Sequence, residues 1–458
     1  MFVRVNALCS RANPVHAKVI SSRAVALAGV VVLVVVGSVL RAGAIGGNLR
    51  VSSDEQGNGA NTNAILQHAP YRALRWAPGT PFVFALATRL DGHRAMPVVA
   101  RSHGPAQYAQ LAIEIATLTL IAVVAWSMAG AWAALAAVAL AALYVPLILV
   151  TRTYLSEPLG GLMILATFAA ASWARTRRPL AVVAAGVFAG LACLVREDLF
   201  PGVIVIALAL TWALWRSSRR RAVLLGALYL ACAVAVLTPW VIYASGIDGR
   251  FVPITDGGAD SFFVGTYLPG HGQQYPDVLQ FKSAICHRFP ADCDHLVSRG
   301  TADMFAIVAS RHPKLATNAA ITQADLENIR HYALRRPLAF AGMLAEKAWR
   351  MWSYPWSGGN GYGTNPKTDT SRLQHLLFTA LALIGLIAGA LLTRRWSLIT
   401  VTIGLAVLTL LNILNNAQGR DNLRLMPLLF TFGASGLWLA GEKVWPRGGL
   451  GGGDAASR

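Results

Sequence analysis

Charged residues are scarce in this sequence. Asp, Glu, Lys and Arg together make up 13% of the 458 residues, whereas 55% are hydrophobic. A soluble protein of this length needs a charged surface on every side, so the composition argues against a water-facing exterior throughout. Acidic residues are scarcer still, with 21 Asp and Glu against 40 Lys and Arg.

The resulting net charge of +19 raises the question of nucleic-acid binding, which uses Lys and Arg clustered on one face. Here the basic clusters fall in short gaps between apolar runs. That is the pattern of membrane topology signals. The sequence therefore predicts a membrane protein with no nucleic-acid partner.

Apolar runs close to the ~20 residues that a spanning helix needs recur along the chain, and they predict an all-α polytopic membrane protein with about ten transmembrane helices. The predicted spans are Ala24–Leu40, Ala106–Ala129, Ala131–Val150, Leu159–Ala174, Leu180–Val195, Leu199–Trp215, Ala222–Tyr243, His375–Leu392, Trp396–Leu414 and Leu425–Ala440. The first run, followed by Ala42-Gly43-Ala44, also resembles a signal peptide. Its length and the many spans that follow favour a retained helix.

The short gaps between the spans alternate between rich and poor in basic residues. The gaps 175–178, 216–221 and 394–395 are rich, whereas 151–158, 196–198 and 415–424 carry one or two Arg each. The positive-inside rule then places both termini in the cytoplasm of a cell with a plasma (inner) membrane. The expected organisation is a cytoplasmic N-terminus (1–23), a transmembrane core (24–244) with an external loop (41–105), a large external region (245–373), C-terminal spans (374–441) and a cytoplasmic tail (442–458).

The large external region contains two further features. Residues 325–352 read as a helix with a break at Arg335-Arg336-Pro337 and with tryptophans suited to the membrane interface. Cys286 and Cys293 are separated by six residues in the stretch Cys-His-Arg-Phe-Pro-Ala-Asp-Cys, where an oxidising compartment allows a disulfide. Free thiols, or a metal site with His287 and His295, are the alternatives.

Carboxylates and arginines occur in every external gap. Asp54 and Glu55 open the first loop, where they are candidates for a general base or for a simple helix cap. Glu157 begins a helix, which by itself favours an acidic residue. The stretch around Arg75 could bind a phosphate just above the bilayer, and Arg196, Arg420 and Arg424 lie in the later external gaps. Without a ligand, the stretch around Arg75 would be an interfacial anchor, and Arg196 would form an ion pair with Asp198.

These residues resemble the glycosyltransferase-C superfamily of polyprenyl-phosphate-sugar-dependent transferases, especially bacterial members similar to protein O-mannosyltransferases and to lipid A or lipopolysaccharide sugar transferases. The likeness rests on motifs in order along nearly the whole chain: Asp54-Glu55, the turn from Arg75 to Pro81, Gly190-Leu191-Ala192 with Arg196 and Asp198, Gly249–Gly258 continuing to Phe263–Thr266, and Arg424-Leu425-Met426-Pro427.

The resemblance implies a catalytic first external loop and the transfer of a hexose or pentose from a polyprenyl-phosphate carrier to a lipid, polysaccharide or protein hydroxyl on the external (periplasmic) face, with inversion. Asp54 is then the expected base, with Glu55 as the alternative. Glu157 is expected to orient the acceptor or a basic partner, and the four arginines to bind the donor phosphate.

The chain departs from the common family pattern at two places. Gln56-Gly57-Asn58 stands where an aromatic residue often follows the acidic pair, and the second loop has the single carboxylate Glu157. The second departure weakens the case for the divalent metal that some relatives bind between these loops. No cofactor is therefore expected to be required, with Mg or Mn left open.

A transporter or lipid flippase is the competing function, and a non-catalytic membrane scaffold is a third. A transporter predicts inverted repeats and polar residues at mid-membrane. The sequence has no repeat of fixed period, and Glu114 is the one carboxylate well within a predicted span.

Overall fold

The structure is a computed structural model of the chain. It describes residues 14–45, 52–71, 74–96, 104–174, 179–215, 218–272, 312–315, 317–356, 369–415, 417 and 419–445, together with isolated positions between 283 and 308. Within these residues the fold is built from α-helices and short helical turns, with no β-strand.

Apolar helices occupy all ten predicted spans. They are α1 (Pro14–Ala44), α4 (Pro105–Ala129), α5 (Ala131–Leu143) with α6 (Val145–Val150), α7 (Glu157–Ala174), α8 (Pro179–Val195), α9 (Phe200–Trp215), α10 (Arg219–Asp248), α14 (Asp369–Thr393), α15 (Trp396–Leu414) and α16 (Met426–Val444). By length and composition, seven helices of the described residues can cross a membrane, while α5 and α8 are shorter apolar helices. The chain is thus a multi-pass membrane protein.

The third predicted span is not one continuous helix: it breaks at Tyr144, between α5 and α6. Pro146 has no N–H to donate to the carbonyl four residues earlier, so the break frees carbonyl oxygens inside the bundle. Arg41 donates to the Ala141 and Ala142 oxygens, at 3.0 and 3.3 Å, and Gln374 donates to the Leu143 oxygen at 2.8 Å. Side chains from two other helices therefore cap the broken end.

Glycines allow two pairs of helices to pack backbone to backbone. A Cβ atom on Gly385 or Gly389 of α14 would overlap the backbone of Gly433 or Gly436 on α16, and one on Gly190 of α8 would lie 2.7 Å from the Ala233 oxygen of α10. Close approach of this kind replaces the hydrophobic driving force that helices lack in lipid. These contacts fix the relative positions of the helices that carry the site.

Shorter helices lie between the spans. They are α2 (Ser53–Leu66) and α3 (Gly79–Leu90) in the first loop, and α11 (Gly258–Thr266), α12 (Thr317–Asn328) and α13 (Pro337–Ser353) in the large region. The predicted helix 325–352 begins earlier, at Thr317, and its predicted break before Pro337 is confirmed. We call the side of the bundle formed by residues 52–71, 74–96, 151–156, 196–199, 415, 417 and 419–425 the loop face.

Candidate active site

The N-terminus of α2 is fixed by a capping box. The Ser52 hydroxyl accepts the Glu55 N–H, and the Glu55 carboxylate accepts the Ser52 N–H at 2.8 Å. The other oxygen of Glu55 accepts the backbone N–H of Tyr154 at 3.1 Å, and the side chain is 2% exposed. Glu55 therefore ties the first loop to the turn that precedes α7.

Asp54, the adjacent carboxylate, faces other side chains. One oxygen contacts the Arg420 guanidinium, and the other accepts the indole N–H of Trp76 at 3.1 Å. Burial raises the pKa of Asp54, but Arg420 and the Trp76 hydrogen bond outweigh burial and hold the pKa below its ordinary value of 3.8. Asp54 is thus ionised at neutral pH, and a charged and a neutral donor orient it.

The sequence Gln56-Gly57-Asn58 lacks the aromatic residue that often follows the acidic pair in the family, and in the structure Trp76 occupies the space beside that pair. Trp76 lies directly over Gly57, so close that a Cβ atom there would be 2.5 Å from the indole ring atoms Cδ2 and Cε2. The Tyr71 hydroxyl donates to the Trp76 carbonyl at 2.9 Å and fixes this turn. The aromatic side chain beside the acidic pair therefore comes from the turn before α3.

Glu157, at the start of α7, is 1% exposed and lies between two arginines. Its Oε1 accepts a 2.9 Å bond from Arg196 and lies 3.7 Å from Nε of Arg420. The second oxygen, Oε2, is buried with no hydrogen-bond partner. Through Arg420, the carboxylates of the first and second loops share one guanidinium group.

Arg196 and Arg424 complete the cluster at its buried side. Arg196 donates two hydrogen bonds to Asp198, from Nε to Oδ1 at 3.2 Å and from Nη2 to Oδ2 at 3.1 Å. Arg424 contacts the same Asp198, pairs with Asp421 at 3.1 Å and donates to the Asn412 side-chain oxygen at 2.7 Å. Arg196 and both Nη atoms of Arg424 are paired with neighbouring acceptors, whereas Nε of Arg424 is buried without a partner. We call the whole set the ion-pair network, and its members are Asp54, Glu157, Arg196, Asp198, Arg420, Asp421 and Arg424.

Arg420 differs from the other two arginines of the network. Its Nε and Nη1 atoms are buried with no hydrogen-bond partner, although the side chain keeps 13% of its surface exposed. Unpaired buried donors are costly, so such groups mark places where a ligand or water completes the bonding. Arg420 has two such donors, against one in Arg424, and its side chain is the more exposed of the two.

The remaining predicted site residues lie elsewhere. Arg75 is 47% exposed and pairs at 2.7 Å with Asp260 of α11, although its neighbour Trp76 reaches Asp54. Cys286 is disulfide-bonded, whereas Cys293 lies outside the described residues, so their pairing stays a prediction.

Sequence reasoning missed three residues that fix the site: Trp76, Asn412 and Lys347. Lys347 of α13 is buried and donates to the carbonyls of Gly265 and Asn415, at 3.0 and 2.7 Å, which joins the large region to the segment before Arg420. Burial lowers the pKa of Lys347 to about 7. The sequence signal that could have identified Lys347 is its position on the apolar face of an amphipathic helix.

Solved structures share this arrangement of helices, whereas no protein-family model and no curated protein matches the sequence. The apo oligosaccharyltransferase of Archaeoglobus fulgidus superposes with a TM-score of 0.52 at 12% identity, over 92% of this chain and 51% of that chain. AglB from the same organism, in complex with an inhibitory peptide and a dolichol-phosphate, gives 0.50 at 11% identity, over 92% and 51%. ArnT from Cupriavidus metallidurans, bound to undecaprenyl phosphate, gives 0.41 at 17% identity, over 91% and 77%.

The chain spans about half the length of the archaeal oligosaccharyltransferases that it matches. At these identities the likeness concerns the path of the backbone and not the chemistry of the site. It extends over nine-tenths of this chain, and it agrees with the motifs that the sequence carries. The chain has the glycosyltransferase-C fold.

Proposed function

We propose that this chain is a membrane glycosyltransferase that moves a hexose or pentose from a polyprenyl-phosphate carrier to an acceptor hydroxyl on the external face, with inversion at the anomeric carbon. The observation that carries the proposal is the contact between Asp54 and Arg420 on the loop face of a glycosyltransferase-C fold. An ionised carboxylate and a guanidinium with unused donors are the two groups that the reaction needs.

Asp54 is the general base in this proposal, and Glu55 is a structural residue. Both oxygens of Glu55 already accept backbone N–H groups, and the side chain is closed off from solvent. Asp54 keeps 28% of its side chain exposed, so an acceptor hydroxyl can approach it. The choice that the sequence left open therefore falls on Asp54.

Arg420 is the ligand of the donor phosphate. Its Nε and Nη1 donors lack partners, and a guanidinium group matches the geometry of phosphate oxygens. Arg196 and Arg424 are already paired with carboxylates, so they hold the network in place. Glu157 orients these basic partners, because its Oε1 accepts a bond from Arg196 and lies 3.7 Å from Nε of Arg420.

The proposed step forms a bond between the acceptor oxygen and the anomeric carbon while the bond from that carbon to the phosphate oxygen breaks. The acceptor proton passes to a carboxylate oxygen of Asp54. The phosphate leaves with the bonding electron pair as an anion, and the carrier remains in the bilayer. Hydrogen bonds from Arg420 stabilise the charge that develops on the phosphate.

The test is a transfer assay in proteoliposomes with a panel of radiolabelled polyprenyl-phosphate sugars. Replacing Asp54 with Asn removes the base, and we expect transfer to fall by roughly 10²–10⁴-fold. Asp91→Asn is the matched control, since Asp91 is an exposed carboxylate of the same loop, and its variant should keep full activity.

Two results would contradict the proposal. Full activity in Asp54→Asn would refute the assignment of Asp54 as the general base. If wild type transfers sugar from no donor while carrier lipids still move across the vesicle membrane, the chain is a flippase, the alternative function.

A further inference from the structure

Some glycosyltransferase-C proteins hold a divalent metal between acidic residues of the first and second loops, and here these positions belong to Asp54 and Glu157. Neither carboxylate is free to bind a divalent metal, because each already has a basic partner. Asp54 contacts Arg420 and accepts a bond from Trp76, while Glu157 accepts a bond from Arg196 and lies 3.7 Å from Nε of Arg420.

A guanidinium group therefore lies where the metal would have to bind. A divalent cation beside it would be repelled by a like charge at short range. Among the described residues, no three His, Cys, Asp or Glu side chains are grouped so that they could hold a metal ion. The residues between the two loops do not fit a divalent metal.

We infer that Arg420 replaces the metal as a built-in cation, an inference that rests on the proposed function. Arg420 touches the first-loop carboxylate and approaches the second-loop carboxylate, as a bridging metal would. Its two unpartnered donors, Nε and Nη1, correspond to the open coordination positions that a metal offers to a phosphate. The Oε2 atom of Glu157 is also buried and unpartnered.

Arg420 also stabilises the ionised form of the base Asp54, as a bound metal ion would. The guanidinium outweighs burial and keeps the pKa of Asp54 below its ordinary value. Arginine stays protonated at every pH at which the protein is folded, so this effect needs no ion from solution. Transfer by the wild type should therefore be insensitive to chelators.

The first test measures metal binding without using activity. Full-length wild type, Arg420→Ala and the double variant Arg420→Ala with Asp54→Asn are titrated with Mn²⁺ and followed by electron paramagnetic resonance. Removing the guanidinium leaves Asp54 and Glu157 facing an unfilled space, so we expect Arg420→Ala to bind one Mn²⁺. Wild type and the double variant should not bind Mn²⁺ at this place.

The second test is transfer with and without a chelator. Wild type should lose none of its activity in EDTA. Arg420→Ala should fall by roughly 10²–10³-fold and regain at least about tenfold with Mn²⁺. Arg420→Lys keeps a positive charge but loses the planar set of donors, so it should be slower than wild type and equally insensitive to EDTA.

Three outcomes would overturn the inference: Mn²⁺ binding by wild type that depends on Asp54, wild-type transfer that EDTA abolishes and Mn²⁺ restores, or no Mn²⁺ binding by a monodisperse Arg420→Ala. If Arg420→Ala does not fold, wild type and Arg420→Lys decide the matter. A wild type without transferase activity refutes the proposed function alone, because the binding titration still reports on Arg420.

Discussion

The contact of Trp76 with Gly57 offers a test of how the candidate base is held. In a free helix, Gly57→Ala would stabilise α2 by about 0.8–1 kcal/mol. Here the new methyl group would lie 2.5 Å from the indole, well inside the ~3.5–4 Å of normal carbon contacts, so the ring must move by about 1 Å. That movement pulls the indole N–H away from Asp54, which it reaches at 3.1 Å.

The magnitude follows from three contributions. Overpacking costs about 1–3 kcal/mol, and weakening a hydrogen bond to a charged group costs about 1.5–3 kcal/mol. The helix gain offsets about 1 kcal/mol of this sum, so Gly57→Ala should lower the free energy of unfolding by about 1.5–5 kcal/mol. The exposed neighbour supplies a control: Gln56→Ala should leave stability unchanged within about 0.5 kcal/mol.

A double-mutant cycle in detergent, followed by thermal unfolding, separates this mechanism from a general loss of helix stability. In a Trp76→Ala background the methyl group meets open space, so Gly57→Ala should be neutral or stabilising by about 1 kcal/mol. The reasoning is wrong if Gly57→Ala destabilises both backgrounds equally.

Three further variants test other parts of the structure. Glu55→Gln should cost about 1.5–3 kcal/mol of unfolding free energy, because its carboxylate accepts two backbone N–H groups, while transfer per folded molecule stays unchanged; a loss of transfer in fully folded protein would contradict this. Gly436→Leu should abolish monodisperse protein on size exclusion, because its side chain would overlap the backbone of Gly385; an unchanged elution profile would refute the packing argument. Lys347 has its pKa lowered from 10.5 to about 7, so between these pH values the unfolded chain binds more protons and the unfolding free energy of wild type rises by at most about 1.4 kcal/mol per pH unit. Lys347→Met should lack this slope in melting curves from pH 7 to 9, and equal slopes would disprove the assignment.

The membrane helices were predictable because an apolar run reports burial in lipid directly. Their ends were not. α1 begins at Pro14, ten residues before the apolar run, and α10 continues to Asp248 beyond it. Backbone hydrogen bonding carries a helix past the bilayer into polar sequence, so hydropathy marks only the part within the membrane. The break at Tyr144 had a local signal in Pro146, but its partner Arg41 lies about a hundred residues away in sequence.

The candidate site was predictable as a collection of residues but not as a set of pairs. Alternating basic gaps placed Asp54, Glu157, Arg196 and Arg420 on one face, and the ion-pair network joins all of them. Which carboxylate meets which arginine depends on helix packing, which sequence spacing does not encode. Glu55 illustrates the difference: its capping bond to Ser52 is local in sequence, whereas its second bond accepts the backbone N–H of Tyr154, from a different loop.

Glu114 was the one sequence feature that favoured a transporter, because a carboxylate within a span commonly belongs to an ion or proton path. In the structure its carboxylate accepts a 3.0 Å bond from Arg41, and the two side chains are at most 1% exposed. The other donors of Arg41 bind carbonyls that include those freed by the break at Pro146. A group on a transport path must exchange partners, whereas Arg41 would strand these carbonyls in the bundle if it moved. The intramembrane charge is therefore explained by a broken helix, and it gives no support to a transport path.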